Sequence, residues 1–286
     1  MVNYIVLTVV SAIFLSLYDF FKKVSVRGKK DIYEILFFYT GIAFLCSFVF
    51  VKEAFNTDIK YIGFTFLKSS VISLSWFLTM KAVSKLELGI VTPFSMLGTI
   101  FTTLMAWICF GQDIGLIQIG GCSIILVGLI FISRLNKENK DKKENDYRYL
   151  LLLVVAAFLS SISAMIDKTV LTNGVSKGSV LFWFFFFLMS IYLVVCMIRN
   201  KKIEFKNLKT NYWVVFIGIS IFLADFFYYQ AVAIDGVYLS MISIIRKLSS
   251  FLSVVLAGIF LKEGNILKKI LILLLMFIGL AIIIFL

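Results

Sequence analysis

The sequence contains no histidine. That absence removes serine–histidine triads, histidine metal sites and a histidine haem ligand together. Cysteine is scarce: Cys46, Cys109, Cys122 and Cys196 each stand alone inside an apolar stretch. No CxxC spacing occurs, so neither a disulfide frame nor a zinc site is expected, and the thiols read as small buried apolar groups. No P-loop, calcium loop or HExxH motif is present, which leaves ATP-driven pumping within the chain and zinc hydrolysis without residues to run on. A TVGYG-like filter is missing too, which argues against a potassium-type channel. The expectation is a non-enzyme with no catalytic residue, no metal and no cofactor.

Charged residues are also few, 15% of the 286, while 61% are hydrophobic. The mean hydropathy is +1.02. A soluble chain of this length has no interior large enough for that much apolar surface, so the solvent is lipid. Spanning the hydrocarbon takes about 20 helical residues. Cutting at charge clusters and turn residues gives ten runs, near 2–21, 33–51, 61–80, 89–110, 114–133, 149–167, 179–198, 211–233, 237–261 and 266–286. Runs such as Leu181–Met189 are apolar on every side, which suits helices and not alternating barrel strands. The first run lacks a basic leader and a small-residue cleavage site, so it is expected to be a retained span.

One linker stands out. Residues 134–148 read RLNKENKDKKENDYR, almost wholly polar, and divide the chain into 1–133 and 149–286. Each half holds five runs. An odd number makes the second half enter the membrane with the opposite orientation, so the expected fold is all-α, ten transmembrane helices in two inverted five-helix repeats. The letters repeat as well. Ala82-Val83 matches Ala231-Val232, Asp113 closes the fourth run where Glu263 closes the ninth, and Gly128-Leu129 matches Gly279-Leu280. Thr92, Ser95, Thr99 and Thr102 recur along the fourth run with the spacing of Ser240, Ser243, Lys247 and Ser250 along the ninth. Each set lies on one helical face. In lipid such a face looks inward, either as helix-packing glue or as the lining of a shared cavity. Ile100 and Leu252, off these stripes, are expected to face lipid.

Ten spans in two halves resemble the EamA-type members of the drug/metabolite transporter superfamily. So do the helix-end "AV", the polar helix closing in FGQD (110–113) or FLKE (260–263), and the last helices carrying VGLIFI and IGLAII. The resemblance is strongest over 75–133 and 225–285. It implies secondary transport of a small solute through a central cavity, in a superfamily that carries amino acids, nucleotide sugars, drugs and amines. Two positions depart from the family pattern. Pro93 is the single proline of the chain, with no counterpart in the ninth run, and Asp113 stands where glutamate is usual.

Function is sought where charge lies deep in an apolar run. Asp225 lies within IFLADFFYYQ and Arg246 and Lys247 within SIIRKLSS, on either side of the Ile234-Asp235-Gly236 turn. Asp225 and Arg246 are each about 15 Å from that turn at 1.5 Å per residue, so antiparallel helices place them at one depth. They form either a structural ion pair or a substrate site. One pair leaves one base over, which suits a carboxylate, phosphate or other anionic group. Trp76, the first-half counterpart of Asp225, joins Tyr228 and Tyr229 as aromatic neighbours, able to hold an ammonium group by cation–π contact. Lys68 is expected to snorkel to an interface. Asp19 with Lys23, and Asp167 with Lys168, are expected to be interfacial pairs.

The resulting expectation is a secondary active, alternating-access carrier of a small polar metabolite, zwitterionic or anionic, in the cell membrane. The rival is a flippase-like carrier of a lipid-linked or amphiphilic cationic compound. Candidate substrate-binding residues are Asp225, Arg246, Lys247, Trp76, Tyr228, Tyr229, Ser243, Ser250 and Thr99. The partners implied are a small-molecule substrate, the lipid bilayer and a coupling proton on Asp225; nucleic acid is not among them, although the net charge is +12. Basic residues instead mark topology. The 1–2, 3–4, 5–6, 7–8 and 9–10 connections carry 21 of the 28 lysines and arginines, and the other set carries four. Basic connections stay cytoplasmic, which places the 134–148 linker inside and both termini outside. A C-terminal reporter active only in the cytoplasm is expected to be silent, and a strong signal would reverse the orientation.

Overall fold

A computed structural model of the chain describes residues 4–26, 31–110, 115–138, 146–200, 203, 208, 210–232, 234 and 239–285. These are overwhelmingly helical and contain no strand. Ten helices among them are long and apolar enough to cross a membrane. They are α1 (Tyr4–Ser25), α2 (Ile32–Phe55, with a 3-10 turn at Phe48–Phe50), α3 (Ile59–Val83), α4, α5 (Leu116–Glu138), α6 (Asp146–Thr172), α7 (Lys177–Ile198), α8 (Trp213–Val232), α9 (Leu239–Leu261) and α10 (Ile266–Phe285). Helix α4 is composite: one turn at Leu88–Val91, 3-10 geometry over Thr92–Met96, then a regular helix at Leu97–Phe110. Residues 139–145 of the linker, Asp113 and the Asp235-Gly236 turn lie outside the described residues, as do the side chains of Lys168, Ser240 and Ser243.

Local chemistry sets several boundaries. Asp31 caps α2, its carboxylate accepting from the backbone N–H of Tyr33 at 2.9 Å. Lys262 follows the last residue of α9 with φ +54°, in the left-handed region that commonly closes a helix. Pro93 lies at the start of the 3-10 stretch in α4. It has no N–H to return to the preceding turn, so the regular ladder is interrupted there. Lipid cannot satisfy freed backbone groups, so such a break is tolerated only inside the protein, and Thr92, Pro93, Phe94 and Met96 are all buried.

Packing follows an approximate two-fold pattern. α1 packs on α8 and α9, as α6 packs on α3 and α4. α2 packs on α7 and α8, as α7 packs on α2 and α3; α5 lies on α10. Exchanging the first five helices with the last five maps this set onto itself. Polar contacts repeat the relation: the Ser11 hydroxyl of α1 donates to the carbonyl of Ala224 on α8 at 2.6 Å, and that of Ser75 on α3 to Ala156 on α6 at 2.8 Å. Large apolar side chains such as Ile108, Leu116, Phe55 and Leu267 stay exposed and face the lipid. The helices thus exchange little apolar surface with water on folding, and close packing and interhelical hydrogen bonds carry the association.

The α5–α10 crossing shows how close that packing is. A Cβ added at Gly121 would stand 2.6 Å from the carbonyl oxygen of Gly279, and one at Gly279 would stand 2.7 Å from that of Gly121. Both obstacles are backbone, so neither can swing aside. Gly121→Ala is expected to destabilise the protein by about 1–3 kcal/mol, the usual cost of overpacking. Gly120→Ala, with nothing within 4 Å of its Cβ, is expected to leave thermal unfolding in detergent unchanged.

Candidate functional site

Among the described residues, two ion pairs meet near the centre of the helical bundle. The first joins consecutive helices: the Arg246 guanidinium of α9 donates to the Asp225 carboxylate of α8. Helices α8 and α9 both pack mainly on α1, and the long Arg246 side chain reaches Asp225 from α9. The guanidinium also lies over the Tyr228 ring, 4.1 Å from its centroid. The Nε of Arg246 is buried with no hydrogen-bond partner among the described residues.

The second pair crosses between the halves. Lys68 on α3 bonds Asp167 on α6 at 2.5 Å and donates to the Tyr229 hydroxyl at 2.7 Å. Tyr229 in turn donates to the same Asp167 oxygen at 3.0 Å. The ammonium lies 4.0 Å from the centroid of the Phe184 ring. Lys68 is only 4% exposed. It does not snorkel, and Asp167 finds its base on another helix; the side chain of Lys168 lies outside the described residues. The reason is tertiary: α3 and α6 are packed together, and position 68, in the third turn of α3, comes to face position 167. Asp19 likewise pairs with Lys22, at 2.7 Å, rather than Lys23. Lys23 reaches across to the carbonyls of Val83 and Leu86 at the end of α3, at 2.8 and 2.5 Å.

Tyr228 and Tyr229 join the two pairs, their ring centroids 5.3 Å apart. Trp76 sits in a ring cluster with Tyr18, Tyr39 and Phe184, at centroid distances of 5.9, 5.6 and 5.9 Å. It therefore reaches the charged residues through Phe184, the ring beneath Lys68. Repeat position alone aligns it with Asp225.

The two polar stripes meet at the interruption in α4. Lys247 donates to the carbonyl of Ser95 at 2.7 Å, and Ser250 donates to that of Thr92 at 3.1 Å while its hydroxyl lies 3.2 Å from that of Ser95. Both carbonyls belong to the 3-10 segment, so α9 side chains bind the backbone where Pro93 disturbs it. Farther along α4 the hydroxyls turn back on their own helix: Thr102 donates to Gly98 and Thr103 to the carbonyl of Thr99. Thr99 is half-buried; Ser250 is buried. Ile100 does not face lipid but is buried in the core. Lys68 and Asp167 were missed as a site. The available signal was a lysine deep in an apolar run with no acid within a turn, which obliges it to find a partner on another helix. Among the described residues no cluster of three histidine, cysteine, aspartate or glutamate side chains could hold a metal.

The arrangement is a charged, aromatic-walled centre between two related halves, beside an interrupted helix. The model of the EamA-like transporter family matches the chain twice, over residues 2–134 and 147–285. The chain belongs to the EamA-like transporter family. It is a multi-pass membrane transporter of the drug/metabolite type, and the family is one of transporters rather than enzymes. No curated protein matches the chain. Among solved structures, one titled only "Crystal structure of protein" superposes with a TM-score of 0.65 over 98% of this chain and 95% of that one, at 12% identity. At that identity the likeness concerns the fold.

In this EamA-like transporter the Lys68–Asp167 pair is buried enough for its loss to be visible in stability. Lys68→Met leaves a carboxylate without its base and is expected to cost about 3–5 kcal/mol. Adding Asp167→Leu to the same protein should recover most of that loss in detergent unfolding curves.

Proposed function

We propose that the protein is a secondary transporter that moves a small zwitterionic or anionic metabolite by alternating access between its two halves, 1–133 and 149–286. The observation that carries this reading is an unbalanced charge at the centre. Three bases gather there, Lys68, Arg246 and Lys247, and two carboxylates, Asp167 and Asp225, answer two of them. Among the described residues Lys247 bonds a carbonyl oxygen and forms no ion pair, which leaves one base in excess of these two carboxylates. An anionic group on the substrate would supply the missing charge, with the unpartnered Nε of Arg246 as a second donor. Tyr228, Tyr229 and, one ring farther out, Trp76 wall the same centre. Thr99 and Ser250 belong to the polar stripes of α4 and α9 beside it, and Ser243 is assigned to the same stripe by its spacing in the sequence.

An interrupted helix at membrane depth, placed between repeats, is the usual construction of a carrier's binding site. In this reading Arg246 exchanges Asp225 for the substrate's anionic group. Asp225 is then the acid we assign to a coupling proton, since the arriving anion weakens the bond that holds it. The charge distribution of the connections supports placing the 134–148 linker in the cytoplasm and both termini outside.

The test separates this site from a structural pair. The double variant Asp225→Leu with Arg246→Leu removes both charges together and should fold, yet proteoliposomes carrying it should take up no substrate. Lys247→Met should leave the melting temperature unchanged. It should weaken binding by about 1.5–3 kcal/mol, the worth of a hydrogen bond to a charged group, as read from ligand-induced thermal shifts across carboxylates, phosphates, zwitterions and amines. A folded, fully active double-leucine variant would overturn the assignment.

A further inference from the structure

A second charged cluster lies away from the central site, at the end of the bundle that carries the 3–4 and 9–10 connections. Lys269, near the start of α10, is fully buried. Its ammonium bonds Glu87, in the turn before α4, at 2.6 Å and approaches Glu263, in the turn before α10, at 3.4 Å. The Glu263 carboxylate also accepts the backbone N–H groups of Leu88 and Gly89, at 2.6 and 2.9 Å. These are the first residues of α4, whose N–H groups have no intrahelical acceptor. Glu87, Leu88 and Gly89 belong to the first half; Glu263 and Lys269 belong to the second. Two carboxylates, one ammonium and two backbone donors thus tie the halves together at one end, almost entirely out of water.

The position of the tie matters. It grips Leu88 and Gly89 immediately before the Thr92–Met96 segment, the piece of α4 that takes Lys247 and Ser250 from α9. A displacement of that segment at the central site is carried within one helical turn to the tie. Gly89 also fits the tie closely. A Cβ there would meet the Cδ of Lys269 at 2.9 Å, and the Glu263 Oε2 and Lys269 Nζ at 3.1 Å. The obstacles are side-chain atoms of the tie itself, so an alanine would push the tie apart without forcing the backbone of α4.

We propose that the Glu87–Lys269–Glu263 cluster is a gate: it holds this end of the transporter shut, and it must part for the substrate path to open here. The proposal rests on the alternating-access reading and not on the charge of the substrate. A buried ion pair suits such a device because each partner needs either the other or water. The cluster is therefore favourable when the end is dry and replaceable when water enters, which gives two discrete arrangements and not a continuum.

The experiment uses the full-length chain with its four native cysteines replaced by alanine. A single reporter cysteine is placed either at Ile90, fully buried beside the gate, or at Ser179, buried at the start of α7 near the opposite end. Lys269→Met and Gly89→Ala are introduced separately, and the rate of labelling by a membrane-impermeant thiol reagent is followed on folded protein in detergent. If the cluster is a gate, either change raises labelling at position 90 by roughly tenfold, as a minor open state becomes a major one, while position 179 does not rise. Equal rises at both positions would mean general loosening and would overturn the proposal. Unchanged labelling at position 90 in folded protein would overturn it as well. Gly89→Ala keeps the test available if Lys269→Met does not fold. Adding Lys247→Met separates this proposal from the substrate reading, because loss of binding at the centre should leave the labelling pattern of the gate variants intact.

Discussion

Lipid offers no hydrogen bonds, and every polar group this chain carries into the membrane has to find its partner within the protein. That constraint organises the interior. Lys68 is answered by Asp167 and Tyr229, Arg246 by Asp225, Lys269 by Glu87 and Glu263. Hydroxyls on α1, α3 and α6 are answered by carbonyls of the helices packed on them. Where the backbone itself is disturbed, at Pro93, the freed region is buried and α9 side chains bind its carbonyls. The polar contacts thus hold together the helices that packing brings side by side.

These contacts are distributed unevenly between the halves. Asp225–Arg246 holds a hairpin of the second half together, whereas Lys68–Asp167 and the Lys269 cluster run from one half to the other. Helix α4 links the two charged regions. Its first turn is held by Glu263, and its 3-10 segment is held by Lys247 and Ser250. A regular helix would transmit displacement rigidly but would offer no carbonyls to α9; the interruption supplies both a binding surface and a place to bend.

The two halves are alike in packing but not in charge. The packing pairs exchange cleanly between repeats, while central ionisable residues do not: position 76, aligned with Asp225, is tryptophan, and position 217, aligned with Lys68, is isoleucine. Shared packing is what the alternating-access proposal draws on. Unshared charge gives the centre a polarity that a symmetric pair could not have.

Hydropathy, run length and the odd number of spans per half were sufficient for the helical class, the ten spans and the repeat, because those follow from the thickness of the bilayer and from chain direction alone. The Asp225–Arg246 pair was legible for the same reason: a hairpin places residues equally distant from its turn at equal depth. Lys68 with Asp167, and Lys269 with Glu87 and Glu263, were not legible. Their partners come from helices distant in sequence, and which helices meet is decided by packing. α3 carries polar residues on several sides and α8 is apolar nearly all round, so their periodicity does not say which face turns inward. The stripes on α4 and α9 announced an inner surface, but only the tertiary structure decided that Ser250 and Lys247 would bind backbone carbonyls at the interruption. The same packing decided that Ile100 would be core and not lipid-facing. Depth is a one-dimensional property that the order of residues specifies; lateral neighbours are chosen by the fit of whole helices.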